Sequence, residues 1–282
     1  MTTAKVLLVT GASSGIGLAT AVGAAGSGWH VIATMRDTTR ADAVTSAAAE
    51  AGVDQNLEVR RLDVTDPASI ATCLDAVLAQ HGRLDAVVNN AGAGHLGTVE
   101  LESIDDIRGV MEVNFFGVVQ VTRAALPHLR ASGGRVVTVT SVGGIIGQPF
   151  NEAYCAAKFA VEGFMEALTP VAASVGVAVT VIEPGAVTSE FVRNVGVDPA
   201  QMLADAGPYA PALQSYLTYV SGQFGSNAQT SAEAAEPIVA ALTADPAPIR
   251  VQTSDDARQF TGLKLADLDG SAVAGLARAW LA

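Results

Sequence analysis

Positive charge is in short supply in this chain. Lys and Arg number 16 against 28 Asp and Glu, which leaves a net charge of −12 over 282 residues. A chain with that balance repels phosphate backbones, so nucleic acid is not an expected partner, and an anionic membrane surface is a poor one. An anionic ligand would need a few local Arg or Lys working against the global field. Charge of either sign is sparse at 16%, and aromatics make up only 5%, whereas half of the residues are hydrophobic. Ala and Val supply much of that half and Gly is abundant beside them, enough for a large core and against disorder. Cysteine is limited to Cys73 and Cys155. Two are too few for a disulfide scaffold, and a reduced, cytoplasmic setting is the simpler expectation. Long apolar runs are missing as well: no stretch reaches the ~18 residues of a spanning helix. The start, MTTAKVLLVTGASSG, lacks the length and cleavage pattern of a signal peptide.

What the chain does have is a rhythm. Short apolar, β-branched runs recur: KVLLVT (5–10), HVIATM (30–35), LEVRRL (57–62), DAVVNN (85–90), RVVTVT (135–140) and VAVTVIE (177–183), with PIRVQT (248–253) as a weaker seventh. Continuous apolar runs of this length mark strands buried on both faces. Longer helical stretches alternate with them. The expected fold is α/β, a Rossmann-like doubly wound parallel sheet of about seven strands with helices on both faces, in a single domain over 1–282. Two segments break the rhythm. Residues 193–230 carry Gly, Pro and scattered aromatics and suit a lid over a site, and residues 258–282 form an amphipathic extension that would cover an edge or a neighbouring subunit.

The first strand runs into TGASSGIG (10–17). Gly11, Gly15 and Gly17 allow a tight turn whose backbone N–H groups face a phosphate, and the helix that follows adds its positive dipole end. Gly11, Ser13, Ser14, Gly15, Ile16 and Gly17 are therefore candidate cofactor-binding residues. Placement after a buried strand makes the signal stronger than a lone glycine motif. In such sheets the end of the second strand meets the adenosine ribose, and an acid there excludes a 2′-phosphate. Here that position is Met35, followed by Arg36, whose planar fork suits a phosphate. NADP(H) is favoured on this ground and NAD(H) stays open. Asp63, with Val64 after it, ends the third strand and can accept from the adenine amino group, although DVTDP is also good cap chemistry. NNAG (89–92) ends the fourth strand, where Asn90, Ala91 and Gly92 can tie strand ends together and let a ribose approach.

Further on, Tyr154 and Lys158 stand four residues apart in AYCAAKF, on one face of a helix, and Ser141 lies thirteen residues upstream. TGASSGIG, NNAG, Asn114, Ser141 and Y-x-x-x-K, in this order and spacing, resemble the short-chain dehydrogenases/reductases. SVGGIIGQPFNEAYCAAKFAVEGFMEAL is most similar to the branch that contains type 1 17β-hydroxysteroid dehydrogenase and retinol dehydrogenases. The resemblance implies hydride transfer between a nicotinamide and a carbonyl or alcohol carbon. Tyr154 would be the general acid for reduction and the base for oxidation. A free tyrosine titrates near pH ~10, and lowering it by ~3 units takes about 4 kcal/mol, for which the Lys158 ammonium is the expected source. Ser141 would hold the substrate oxygen. Asn114 would anchor a water joining Lys158 to solvent. Lys158 would also donate to the nicotinamide ribose, with Tyr154 beside it, and Pro184, Gly185, Val187 and Thr188 in EPGAVT would meet the carboxamide.

Candidate substrate residues are His95, Val142, Gly143, Gln148, Phe150 and Phe191, with Gly144 beside them. This mostly uncharged lining points to a hydrophobic ketone or secondary alcohol, steroid-, retinoid- or polyketide-like. His30, His81 and His128 show no metal-ligand spacing, and no metal is expected. Asp105 and Asp106 read as a solvated helix start. The resemblance also implies a homodimer or homotetramer paired through the helices that begin near Ser103 and Ala153. Two other enzyme classes fit less well: epimerases and dehydratases need a larger C-terminal domain, and halohydrin dehalogenases lack the lysine and the glycine turn. A non-catalytic dinucleotide sensor would not need Ser141, Tyr154 and Lys158 together.

Overall fold

In the computed structural model, which describes residues 4–188, 198–226 and 228–281, all seven apolar runs are strands of one parallel sheet. They are β1 (Val6–Val9), β2 (His30–Met35), β3 (Leu57–Arg61), β4 (Ala86–Asn89), β5 (Arg135–Val139), β6 (Ala178–Glu183) and a last strand at Arg250–Gln252. Their order across the sheet is β3-β2-β1-β4-β5-β6 and then the last strand. The chain therefore winds outward from β1 in both directions, and the reversal between β1 and β4 opens a crevice at the C-terminal strand ends.

Alternate residues of each strand feed opposite cores, as a period of two requires. Leu8, Ile32, Val87 and Val136 face helices α3 (Pro67–His81), α5 (Gly117–Ser132) and α6 (Glu152–Ala173). Leu7, Val31, Val88 and Val137 face α1 (Gly15–Gly26), α2 (Asp42–Glu50) and the helix Ser231–Ala241. The small residues of α1 let it lie close: the Cβ direction of Gly23 is 3.3 Å from Val239.

Three features depart from a plain alternation. A π-helical turn, Glu112–Phe116, separates α4 (Ile104–Met111) from α5 and carries Asn114. A two-stranded ribbon pairs Val187–Thr188 with Gln229–Thr230. Residues 198–226 hold two helices, Pro199–Asp205 and Ala210–Ser226, and the C-terminal extension folds back on them within the same chain. Trp280 stacks on Tyr219, with ring centres 5.0 Å apart, and on Phe260 at 5.9 Å. Among the described residues, no helix is long and apolar enough to cross a membrane.

Candidate active site

The glycine turn is held from below by side chains of its own strand and of β4. Thr10 Oγ1 accepts from the backbone N–H groups of Asn90 and Ala91, both at 3.0 Å. Asn90 Nδ2 donates to the carbonyls of Thr10 at 3.0 Å and Gly11 at 3.1 Å. The Asn90 amide is thus spent on bracing the turn. Gly11 has φ +68°, and a Cβ there would lie 2.8 Å from the Ala91 Cα. A Cβ on Gly17 would lie 2.3 Å from both Asn90 Nδ2 and the Gly11 carbonyl oxygen. Three elements meet here with no room for a methyl group.

Ser14 is the N-cap of α1, yet its side chain makes no cap bond, and the first turn holds no acid. The first-turn N–H groups are accordingly left without a side-chain acceptor, which is what an incoming phosphate requires. Ser13, Gly15 and Ile16 are half-buried around this opening.

At the end of β2, Met35 is buried, and Arg36 is exposed with no hydrogen bond or salt bridge among the described residues. The neighbouring Asp37 carboxylate is occupied at home, where Oδ1 accepts from the Thr39 N–H at 3.0 Å and hydroxyl at 2.7 Å. Asp63 Oδ1 likewise accepts from the Thr65 N–H and hydroxyl, at 3.0 and 2.7 Å. Burial works to raise the Asp63 carboxyl, but those two donors, with Arg36 and Arg61 nearby, hold it below its ordinary value. Val64 after it is buried against Gly117 of α5, whose Cβ direction is 2.8 Å from the valine.

The polar set gathers at the C-terminal edge of β4 and β5. Ser141 follows β5 and caps a short 3-10 turn, Val142–Gly144, with Oγ accepting from the Gly143 N–H at 3.0 Å. Tyr154 hydrogen-bonds with Ser141. Lys158, one turn further along α6, is 4% exposed, with Nζ donating to the Val139 carbonyl at 3.3 Å and lying 5.7 Å from the Tyr154 ring centre. Gly143 and Gly92 admit these side chains. The Gly143 Cβ direction is 3.4 Å from the Tyr154 ring, and that of Gly92 is 2.9 Å from Asn114 Oδ1 and 3.6 Å from Lys158 Nζ.

The titration of the pair differs from the expectation drawn from sequence. Tyr154 keeps part of its ring exposed, but close packing pushes its phenol up to about 12, and the Ser141 hydrogen bond only partly opposes this. Burial pulls Lys158 down to about 8, opposed by Glu162. The ammonium alone therefore does not depress the tyrosine. At neutral pH the pair is a phenol beside an ammonium, the form suited to giving a proton.

Asn114 is completely buried in the π turn. Its Nδ2 donates to the carbonyls of Ala93 at 3.0 Å and Val110 at 3.1 Å, and its Oδ1 accepts from the Ala93 N–H at 3.2 Å. Both amide hydrogens are used on the backbone, so the side chain clamps the loop after β4.

On the substrate side, Val142 and Gly143 are buried and Gln148 is half-buried, its N–H directed at Cys155 Sγ at 3.4 Å. His95 is turned onto Glu102. Phe150, at φ +56° and 6% exposed, packs with Tyr216, Leu213 and Trp280. It is chiefly the floor under the 198–226 helices; its apolar ring could be assigned to a pocket from the sequence, but the helix that covers it is remote in the chain. Phe191 lies outside the described residues. After β6, the Pro184 carbonyl accepts from the Val142 N–H at 3.0 Å, Gly185 lies against Ala257, and Val187 and Thr188 belong to the two-stranded ribbon.

Two groupings were not legible from linear spacing. His81 Nε2 lies 3.0 Å from Glu58, and the His30 and His81 ring centres are 4.4 Å apart; Arg60 occupies the Glu58 carboxylate at 3.1 Å. This cluster sits at the far edge of the sheet, around β3. Behind Lys158, Glu162 meets Thr140 and Arg250, a contact signalled in the sequence only by an acid one helical turn past the lysine.

A doubly wound sheet with an uncapped glycine turn, and a Ser–Tyr–Lys cluster across the same crevice, is the scaffold of a dinucleotide-dependent oxidoreductase. Residues 5–200 match the short chain dehydrogenase family model, and the chain belongs to that family. It is 35% identical to human retinol dehydrogenase 8, over 95% of this chain and 87% of that one. It is 37% identical to human 17-beta-hydroxysteroid dehydrogenase type 1, over 94% and 82%. Among solved structures, a short-chain dehydrogenase from Streptomyces avermitilis superposes with a TM-score of 0.76 at 32% identity, covering 99% of both chains. An actinorhodin polyketide ketoreductase solved with NADPH gives 0.74 at 27% identity, over 88% of this chain and 95% of that one.

Proposed function

We propose that the protein is an NADP(H)-dependent oxidoreductase that moves hydride between the nicotinamide and a hydrophobic ketone or secondary alcohol. The observation that carries this reading is Tyr154, hydrogen-bonded with Ser141 and backed by Lys158, at the strand ends that also carry the glycine turn. The bound nicotinamide supplies the hydride. The residues of the chain do the rest. The Ser141 oxygen accepts from Gly143 and its hydroxyl hydrogen-bonds with Tyr154, so a substrate oxygen entering between Ser141 and Tyr154 takes over that bond. Tyr154 gives that oxygen a proton as negative charge develops on it, and Lys158 favours the phenolate left behind.

Arg36 supports NADP(H): it is exposed at the end of β2, beside a buried Met35 and an Asp37 already engaged with Thr39. The α1 N-terminus, free of acids and of a side-chain cap, is suited to the pyrophosphate. For the substrate, a cleft of about 230 Å³ lies under residues 198–226, lined mostly by Leu96, Leu101, Phe150, Met202 and Leu213, with Thr98, Glu102 and Asp205 among them. An apolar wall of that kind favours a hydrophobic skeleton, and we assign the 198–226 helices the part of a lid. Retinol and a hydroxysteroid, named for the two relatives, are substrates of this type. Phe116 and Phe159 leave apolar surface exposed on the helices expected to pair subunits, which supports a homo-oligomer. Free, buried Cys73 and Cys155 suit a reducing, cytoplasmic compartment.

The test is loss of NADPH absorbance near ~340 nm with a panel of steroid, retinoid and polyketide carbonyls, repeated with NADH. Turnover of apolar carbonyls with NADPH ahead of NADH is the expected result. Preference for phosphorylated or acidic carbonyls overturns the substrate reading, and preference for NADH overturns the cofactor reading.

A further inference from the structure

Three side chains at the end of the sheet away from the crevice take no part in the reaction. His30 opens β2, Glu58 is the second residue of β3, and His81 closes α3. Their places in the chain show no ligand spacing, and the expectation from sequence was that no metal binds. The fold brings them together. Glu58 pairs across from Ile32, so the two-residue period puts His30 on the same face, two residues nearer the strand start. Ile32 packs in one core with Val77, one helical turn before His81. The last residue of α3 therefore lands over the two strand residues.

The geometry is close to that of a ligand set. His81 Nε2 is 3.0 Å from Glu58 Oε1, and the two imidazole ring centres are 4.4 Å apart. One ligand atom from each of the three side chains lies within 4.8 Å of the other two. His30 Nε2 is buried with no hydrogen-bond partner among the described residues. A buried polar atom left unpaired is costly, and with the ring proton on Nδ1 this nitrogen presents a lone pair to the cluster. The carboxylate is already oriented: Gln80 Nε2 donates to Glu58 Oε2 at 3.2 Å, and Arg60 Nη2 lies 3.4 Å from the same oxygen. These are the outer contacts that hold a ligating carboxylate in place. Arg60 Nε, on Oε1 at 3.1 Å, has to give way to a metal, and Gln80 Oε1 retains the guanidinium through Nη2. His81 stands at the negative end of its helix, which favours a cation there, as does a chain of net charge −12.

We propose that His30, Glu58 and His81 bind a divalent first-row transition metal, Zn²⁺ foremost, which staples the end of α3 to the edge strands β2 and β3. Tetrahedral bonds of about 2.1 Å set ligand atoms about 3.4 Å apart, so the His81–Glu58 pair opens slightly and His30 closes in. Water takes the fourth position. Two imidazoles and one carboxylate select Zn²⁺ over the harder Mg²⁺ and Ca²⁺. The site stands apart from the oxidoreductase reading. Five residues of extended strand, about 17 Å, separate His30 from Met35 at the crevice end of β2.

The experiment strips the tag-free, full-length protein with a chelator and titrates it with ZnCl₂, followed by calorimetry and melting temperature. Wild type should take up one Zn²⁺ per chain, melt higher as Zn²⁺ is added, and give no heat with MgCl₂. His30→Ala and His81→Ala should each weaken Zn²⁺ binding by about 100-fold or more, with NADPH Kd unchanged. Arg60→Ala keeps all three ligands and removes the competing charge, so it should bind Zn²⁺ more tightly than wild type. Failure of wild type to bind Zn²⁺ at about 100 μM overturns the proposal. Binding that survives in both histidine variants, or that Mg²⁺ matches, marks a nonspecific acidic surface and overturns it as well. Should a histidine variant fail to fold, Arg60→Ala decides, because an affinity equal to or below that of wild type shows that Glu58 is not a ligand.

Discussion

Asn151, the residue just before α6, donates from Nδ2 to the hydroxyl of Tyr216 at 2.7 Å. The bond joins the start of the Tyr154 helix to the Ala210–Ser226 helix, two segments separated by 65 residues of chain. Tyr216 is 4% exposed and packs against Phe150 with ring centres 5.8 Å apart. The segment assigned as a lid is thus tied to the start of the Tyr154 helix by a polar contact within an apolar cluster, and Tyr209 adds a second tie to Glu100.

Tyr216→Phe keeps that apolar packing and removes the acceptor. The second Asn151 hydrogen still has the Pro149 carbonyl at 3.0 Å, so the loss is confined to one bond, about 1 kcal/mol. The expected outcome is a small drop in melting temperature, a raised KM for the carbonyl and an unchanged Kd for NADPH. Steady-state kinetics and a cofactor titration check it. An unchanged carbonyl KM removes the lid assignment.

Tyr154→Phe leaves Lys158 bonded to Val139 and the glycine turn intact, because neither contact passes through the phenol. Removing the proton donor should lower kcat by about 10²–10⁴-fold, with cofactor affinity kept. Single-turnover rates alongside NADPH binding measurements separate the two effects. Retained turnover would show that the proton comes from elsewhere.

Arg36 is free to engage a phosphate, so Arg36→Ala should cost NADPH more than NADH. Loss of one charge-assisted contact, about 1.5–3 kcal/mol, corresponds to a fall of roughly 10–150-fold in kcat/KM with NADPH. With NADH the change should be small. Equal losses with both cofactors would mean that Arg36 supports the β2 end and does not read the 2′-phosphate.

The sheet was legible because its strands are buried on both faces and therefore spell out uninterrupted apolar runs; even the weak run at 248–253 pairs with β6. Ser141, Tyr154 and Lys158 were legible because helical spacing and the end of β5 bring them together without help from distant chain. What was not legible depends on contacts between distant segments. The π turn at Asn114 stands next to Gly117, which packs on Val64 from the end of β3. Phe150 reads as a pocket residue until Tyr216 and Trp280 cover it. The two-residue strands Val187–Thr188 and Gln229–Thr230 are too short to carry a period. The upward displacement of Tyr154 comes from burial, which spacing does not report.

The pH dependence of reduction follows from Lys158. Its value lies below that of a free lysine, at about 8, so the ammonium is present at pH 7 and lost above about 8. Tyr154 keeps its proton through this range, being raised to about 12. Carbonyl reduction should therefore hold steady from pH 6 to 7.5 and decline above about 8, with the fall set by the lysine. A kcat profile at saturating cofactor checks this, and a rate flat to pH 10 would dissociate the lysine charge from the proton step.

Gly17 and Gly163 test how far the close approach at the turn matters. A methyl group on Gly17 would lie 2.3 Å from the Gly11 carbonyl oxygen, forcing α1 away from the turn and the β4 end that Asn90 ties to it. Backbone on one side and a committed amide on the other cannot give way cheaply, so Gly17→Ala should cost about 1–3 kcal/mol or more and weaken NADPH binding. Gly163, on the exposed face of α6, has nothing within 4 Å of its Cβ direction. Within one subunit the helical preference of alanine governs there, and Gly163→Ala should raise the stability of the isolated chain by about 0.5–1 kcal/mol. Urea unfolding of both variants reads the contrast, and equal effects at the two positions would mean that the turn tolerates the separation of α1 from β4.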